Sequence, residues 1–498
     1  MRSRSALLAR YPTRAPANAD RTGHTGSVNR SAGPTRETPT SPATPTPRVA
    51  TPTQATTLTA PGSGPAAPAY DVAAVRARFP ALSEGAAHFD GPGGTQVPDA
   101  VAEAVAGALS VAISNRGRLT PAERRADDIV HACRSAIADL LGADPRGVVF
   151  GRSMTALTYD FSRALAKTWG PGDEVVVTRL DHDADVRPWV QAAAAAAATI
   201  RWAGFDRETG VLDVGDVEAV LSERTRLVAC TAASNLIGTR PPVRAITAAA
   251  HAVGALAYVD GVHLSAHSLV DVGGLGADFY ACSAYKFFGP HCGFVAASAD
   301  LLGELHPDKL EPATDEVPER FELGTLPYEL MAGVTAAVDF IAELVPNPPA
   351  TPTAGSAPTP RAAAGAGTTP AIPATLRRER LGRSFAAIEI YEAALRRRIE
   401  SAVEEIPGAR LVGRAPERTP TLLVDFGSPE RNDEVARFLA ERGVNAPAGS
   451  FYALEASRWL GLGDTGGLRV GLAPYNDDED VERLVAGLRA AAAAGPSA

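Results

Sequence analysis

The sequence predicts an α/β fold: a large domain built on a mainly parallel sheet, followed by a smaller C-terminal α/β domain. Three observations predict it. Short β-rich runs alternate with helical patterns through the middle of the 498-residue chain, as they do when helices cover a parallel sheet. Polar residues able to carry chemistry fall just past the carboxyl ends of those runs, where open parallel sheets place their ligands. A Pro/Thr/Ala/Gly-rich stretch then separates this region from a second, shorter α/β pattern.

The elements follow in order. Residues 1–69 are crowded with Pro, Thr, Ser, Ala and Arg and show neither helical nor strand period, so disorder is expected. Their eight arginines against Asp20 and Glu37 resemble a targeting presequence without an apolar segment; a basic tail or an over-called start codon reads equally well. The large domain is expected over 70–345, with its opening stretch packing on the smaller domain. Strand-like runs lie at Val148-Val149-Phe150, Glu174 to Thr178, Arg226 to Ala232, Ala255 to Asp260, Asp278 to Ser283 and Gly293 to Ala297. An apolar helix pattern covers Leu330 to Leu344, and a linker is expected over 346–375. The small domain, 376–495, reads as a long amphipathic helix, a strand at Thr421 to Asp425, a helix at Asn432 to Glu441 and a last helix from Asp478 to Leu488.

Composition narrows the function. A net charge of −9 gives no support for nucleic-acid or anionic-membrane binding. Cys133, Cys230, Cys282 and Cys292 lack paired spacing and read as buried free thiols. No apolar run reaches the ~18 residues that a bilayer span needs, and Ala192 to Ala198 is too short and too weakly hydrophobic. A soluble cytoplasmic protein with no metal site is expected.

Only three lysines occur against forty-five arginines. One of them, Lys286, sits in Ser283-Ala284-Tyr285-Lys286-Phe287-Phe288-Gly289-Pro290. A primary amine forms an imine and a guanidinium does not, which gives a surviving lysine a reason to persist; read alone, it is equally a leftover residue at a strand end. Asp260 closes an apolar run, where a carboxylate can pair with a protonated pyridine nitrogen, or simply cap a helix or turn. Phe150-Gly151-Arg152-Ser153-Met154-Thr155 passes from strand to helix and offers hydroxyls and free N–H groups to an anion such as phosphate, or is an ordinary cap. His182, in Leu180-Asp181-His182-Asp183-Ala184-Asp185, follows a strand and is placed to stack over an aromatic ring, although a lone histidine is more often structural.

Together these residues resemble fold-type I, pyridoxal-phosphate-dependent class V aminotransferases, in particular the cysteine desulfurase and selenocysteine lyase group. The resemblance covers roughly 70–345 and 376–492. It implies that Lys286 holds the cofactor through an imine, that Asp260 binds the pyridine nitrogen and that His182 stacks on the ring. It also implies that His263 stands where the family usually has a Gln contacting the phenolic oxygen, and that Asn235 reaches the same oxygen and the substrate. Ser153, Met154, Thr155, Ser283 and Tyr285 line the phosphate side, Tyr285 replacing a usual His. Arg320-Phe321-Glu322-Leu323-Gly324-Thr325 resembles the segment whose Thr reaches the neighbouring subunit's phosphate, which implies a homodimer through Thr325. Gly467-Leu468-Arg469-Val470-Gly471 resembles the strand whose Arg clamps the carboxylate of a small amino-acid substrate, a task suited to a planar bidentate donor.

The family's desulfurases carry a thiolate on a small-domain loop. Here the corresponding stretch is Asn445-Ala446-Pro447-Ala448-Gly449-Ser450-Phe451-Tyr452, with Tyr452 about where the cysteine stands, and no cysteine follows Cys292. Asp90-Gly91-Pro92-Gly93-Gly94-Thr95-Gln96 lacks the strand-turn-helix context of a dinucleotide site. The resemblance implies lyase chemistry on an amino acid. Epimerase or aminotransferase chemistry of the isopenicillin-N-epimerase type, and an inactive cofactor-binding scaffold, remain alternatives.

Overall fold

The computed structural model describes residues 70–346 and 374–495. The expected tail over 1–69 and nearly all of the expected linker lie outside the described residues. Thirteen strands follow in chain order: β1 (Ala87–His88), β2 (Val148–Gly151), β3 (Glu174–Thr178), β4 (Thr199–Ala203), β5 (Thr225–Thr231), β6 (Leu256–Asp260), β7 (Phe279–Ser283), β8 (Gly293–Ala297), β9 (Arg410–Val412), β10 (Thr421–Asp425), β11 (Val444–Asn445), β12 (Ala448–Gly449) and β13 (Gly467–Gly471). Seven of them form the central sheet, in the order β2-β8-β7-β6-β5-β3-β4. From β7 to β4 every pairing is parallel, while β8 runs against both of its neighbours.

The sheet is mainly parallel because its strands are buried on both faces. Val175, Val176, Val177, Val228, Val259 and Phe279 are fully enclosed, and β-branched or aromatic side chains pack well on a pleated surface covered by helices. β4 escaped the sequence reading for the opposite reason. It is an edge strand whose first four residues alternate between exposed and half-buried, and the alanines preceding it continue a helical pattern.

A four-stranded antiparallel sheet, in the order β12-β13-β10-β9, lies in the C-terminal part. The first described segment is tied to this part. β1 pairs in parallel with β11, and Gly471 N–H donates to the Phe89 carbonyl at 2.8 Å. The long helix Ala374–Glu404 is tied to the larger layer by buried Arg377, which forms ion pairs with Asp339 at 2.6 Å and Asp139 at 2.7 Å. All four cysteines are free and buried. Among the described residues no helix is long and apolar enough to cross a membrane.

Candidate active site

The carboxyl ends of the parallel strands gather the site. Asp260 is the last residue of β6 and Ser283 the last of β7. Lys286 follows on the short 3-10 turn Ala284–Lys286. His182 lies just past β3 and Asn235 just past β5. Each strand therefore delivers one polar residue to a common edge, as the topology of an open parallel sheet allows.

Lys286 Nζ donates to the carbonyl of Pro92 and lies 4.8 Å from the centre of the Tyr285 ring. Burial pushes its ammonium down to about 7; Arg469 repels it further, and Asp260 opposes the shift. Asp260 Oδ1 accepts from Val262 N–H at 2.9 Å. Burial raises its carboxyl to about 6, while that hydrogen bond and Lys286 act the other way. The two groups are thus a buried amine and a buried acid, each made easier to neutralise by dry surroundings.

His182 Nδ1 accepts from Ala184 N–H at 3.0 Å. Burial and the positive charge of Lys286 lower its pKa to about 4, so the ring is neutral near pH 7. With Nδ1 engaged as an acceptor, its hydrogen sits on Nε2. Arg469, on β13, is buried beneath the Phe451 ring, its guanidinium carbon 3.6 Å from the ring centre. Its Nη1 donates to the Asn235 carbonyl at 3.1 Å, and its Nε has no partner. Burial lowers this arginine to about 9 against the pull of Asp90 and Tyr285. Asn235 Nδ2 donates to the Phe451 carbonyl at 2.9 Å, leaving its buried Oδ1 without a donor.

The glycine-rich loop after β1 closes over these groups. A Cβ on Gly93 would stand 3.3 Å from Arg469 Nη2, and one on Gly94 would stand 3.3 Å from Tyr285 Cδ2. Thr95 N–H donates to the Tyr285 carbonyl at 3.0 Å, and Thr95 Oγ1 accepts from Phe288 N–H at 2.9 Å. The loop thus packs against the lysine turn, a role invisible in its composition.

Ser153 caps the helix Met154–Ala166, its hydroxyl accepting from Ala156 N–H at 3.1 Å. Met154 is buried and Thr155 exposed at the first turn. Tyr285 stacks on His291 with centroids 4.9 Å apart, and burial raises its phenol. His263 is turned toward the smaller sheet: its Nε2 lies 3.0 Å from the hydroxyls of both Thr419 and Thr421. Thr325 is exposed. Tyr452 is 75% exposed, with φ +59° next to Phe451 at φ +51°, and its ring centre lies 5.6 Å from that of His182. Cys292 is buried, with its thiol pushed up to about 12. The sequence reading missed Pro92, Phe451 and the acids Asp181 and Asp185. The acid pair alone left a trace, as carboxyls bracketing His182.

Known proteins resemble this chain over most of its length. A family model described as Aminotransferase class-V matches residues 87–347 and 359–484. An uncharacterized protein of Mycobacterium tuberculosis is 33% identical over 84% of this chain and 99% of its own length. A probable cysteine desulfurase of Pseudomonas aeruginosa is 31% identical over 82% of this chain and 95% of its own. The crystal structure of the Escherichia coli cysteine desulfurase CsdA superposes with a TM-score of 0.70 at 26% identity, covering 85% of this chain and 98% of that one. The chain belongs to the class V aminotransferase family, with the fold of its cysteine desulfurases.

Proposed function

We propose that the protein is a pyridoxal-phosphate-dependent enzyme acting on a small amino acid, with lyase chemistry of the cysteine desulfurase or selenocysteine lyase kind. One observation carries the reading. A buried lysine with its pKa drawn to about 7 stands with a buried aspartate at adjoining strand ends, beside a buried arginine that has a free donor. An aldehyde on a pyridine ring, a phosphate and an amino-acid carboxylate would engage the groups left here: a nucleophilic amine, an acid for the ring nitrogen, the second Nδ2 hydrogen of Asn235 and the Arg469 Nε donor. The family is pyridoxal-phosphate-dependent, and the residues present fit that cofactor.

When bound, pyridoxal phosphate supplies an electron sink for charge developing at the substrate's α carbon. Lys286 would hold it covalently, and its amine, once freed, would take the α proton at Nζ, a base whose pKa suits neutral pH. Asp260 would keep a proton on the ring nitrogen. His182, neutral, would cover one face of the ring. Ser153, Met154, Thr155, Ser283 and Tyr285 hold the phosphate at the helix start and strand ends. His263, through the ring nitrogen not turned to Thr419 and Thr421, and Asn235, through its second Nδ2 hydrogen, would contact the phenolic oxygen. Arg469 clamps the substrate carboxylate as a charge-assisted bidentate donor. Thr325, exposed in one chain, reaches the phosphate of a second copy in a homodimer.

The four cysteines disfavour a persulfide carried by this chain. All are buried, and burial raises each thiol above its ordinary value, so none is poised as a thiolate. Alternative outcomes from the same site are epimerase or aminotransferase chemistry, or cofactor binding without turnover.

The test is uptake of pyridoxal phosphate followed by challenge with each amino acid. We expect a visible absorption band that shifts with at least one amino acid, with sulfide, pyruvate or alanine released. Arg469→Ala should keep the band but lose the response, at a cost of about 2–5 kcal/mol in substrate binding. Exchange of the α proton in deuterated water without product release would favour epimerisation, and a band indifferent to every amino acid would favour the scaffold. A protein that acquires no band would contradict all three.

A further inference from the structure

The segment that carries His182 holds two acids that this chemistry leaves unused. Asp181 precedes His182, and Asp185 ends the 3-10 turn Asp183–Asp185 that His182 caps. Both are essentially inaccessible, at 1% and 0% exposure. One oxygen of each is satisfied: Asp181 Oδ2 accepts from the Thr178 hydroxyl, and Asp185 Oδ1 accepts from the Trp189 indole N–H at 2.9 Å. The other two, Asp181 Oδ1 and Asp185 Oδ2, are buried without a donor. Neither acid forms an ion pair among the described residues.

Two ionised carboxylates here would place three negative charges, with Asp260, in one dry volume. That arrangement is costly unless a proton is taken up. An ionised carboxylate only accepts hydrogen bonds, whereas a protonated one also donates. A single proton between two neighbouring acids satisfies both orphan oxygens together, as when two close aspartates cannot both ionise. The surroundings offer little other relief. β6 presents Asp260 and Tyr258, the latter's phenol raised by burial and Asp185. β5 presents Cys230, raised by burial and by all three acids, and a Thr231 N–H that favours the charged form of Asp181. β3 gives the Thr178 hydroxyl, and the helix Arg187–Ala195 gives Trp189. The positive charge of Lys286 acts on Asp260. Burial drives Asp181 and Asp185 well above the carboxylate range, with Asp260 adding repulsion to both and Asp181 adding to Asp185.

We propose that Asp181 and Asp185 share one proton as an acid–carboxylate pair, and that the single charge left beside Asp260 helps to hold the proton on the ring nitrogen of a bound pyridine. The second half rests on the cofactor reading above; the first does not. The pair is a positioning device behind Asp260, and it also pins both flanks of His182.

Isotope-edited infrared spectra of the full-length protein, labelled in its aspartates and free of cofactor, test the shared proton at pH 8. We expect a protonated-carboxyl band that is lost in Asp181→Asn and in Asp185→Asn, because an amide N–H then bridges the remaining carboxylate, and that persists in Asp260→Asn. No such band, a band surviving both single substitutions, or one lost only with Asp260 overturns the pair. Should the asparagine variants fail to fold, Asp181→Glu and Asp185→Glu take their place, and a band that neither of them shifts overturns the pair. With pyridoxal phosphate added, each single substitution should keep the pH midpoint of the visible band, and the doubly substituted protein should move it down by on the order of one pH unit. An unmoved midpoint in the double variant overturns the role toward the ring nitrogen. Failure of the wild type to take up cofactor sinks the functional reading and leaves the infrared result standing.

Discussion

Lys286 loses its proton near pH 7 because dry walls penalise the ammonium and Arg469 repels it, while Asp260 pulls the other way. Capture of pyridoxal phosphate needs the free amine, so its rate should rise as the pH passes about 7. Asp260→Asn removes the stabilising anion and should move that midpoint lower; Arg469→Ala removes the repelling cation and should move it higher. Stopped-flow absorbance against pH measures this, and a midpoint displaced in the reverse sense would contradict the assignment. The same shift has a stability consequence. The folded-state pKa lies below the 10.5 of a free lysine, so between those values the unfolded chain binds more protons, and the cofactor-free protein gains stability from Lys286 as pH rises through that window. Lys286 stood out in the sequence because so few lysines remain, and the structure places it, buried, just past a strand end. The partners of Lys286 were not legible there, since Pro92 lies 194 positions away along the chain.

The helix Met154–Ala166 owes its position to β8. A Cβ on Gly293 would come within 2.1 Å of Met154 N and 2.4 Å of the Ser153 carbonyl carbon, backbone atoms that cannot swing aside. Gly293→Ala should therefore push the helix start off the strand, costing about 1–3 kcal/mol of stability and weakening pyridoxal phosphate affinity at least severalfold. Urea unfolding and a cofactor titration read both, and wild-type affinity would show that the helix start does not hold phosphate. Strand periodicity revealed β3, β5, β6, β7 and β8 nearly to the residue, since continuous apolar runs mark doubly covered strands. It failed at β4, where an exposed edge and a preceding alanine run conceal the switch from helix to strand.

Across the whole molecule, the two sheets are joined by contacts that no local pattern announces. Phe451 lies over Arg469 and its carbonyl accepts from Asn235, Asp183 N–H donates to the Tyr452 carbonyl at 2.7 Å, and His263 is held by Thr419 and Thr421. The resemblance placed Asn235 and Arg469 in one site, and the structure joins them by a hydrogen bond. It gave no hint that Phe451 and Tyr452 both adopt left-handed backbone, a conformation that bulky residues keep only when their surroundings enforce it. The sequence supplied residue types and their spacing along each element; the cross-sheet bonds depend on how the elements pack.

The covalent anchor at Lys286 is open to one direct measurement: borohydride reduction of the protein loaded with pyridoxal phosphate, followed by mass mapping of its peptides. Three lysines make the map unambiguous, and Lys167 and Lys309 are already engaged with Asp308 at 2.7 Å and Asp315 at 3.2 Å. One adduct per chain, on Lys286 and absent from Lys286→Ala, is the predicted result. An adduct spread over Lys167 and Lys309, or retained in the Lys286→Ala protein, would contradict it.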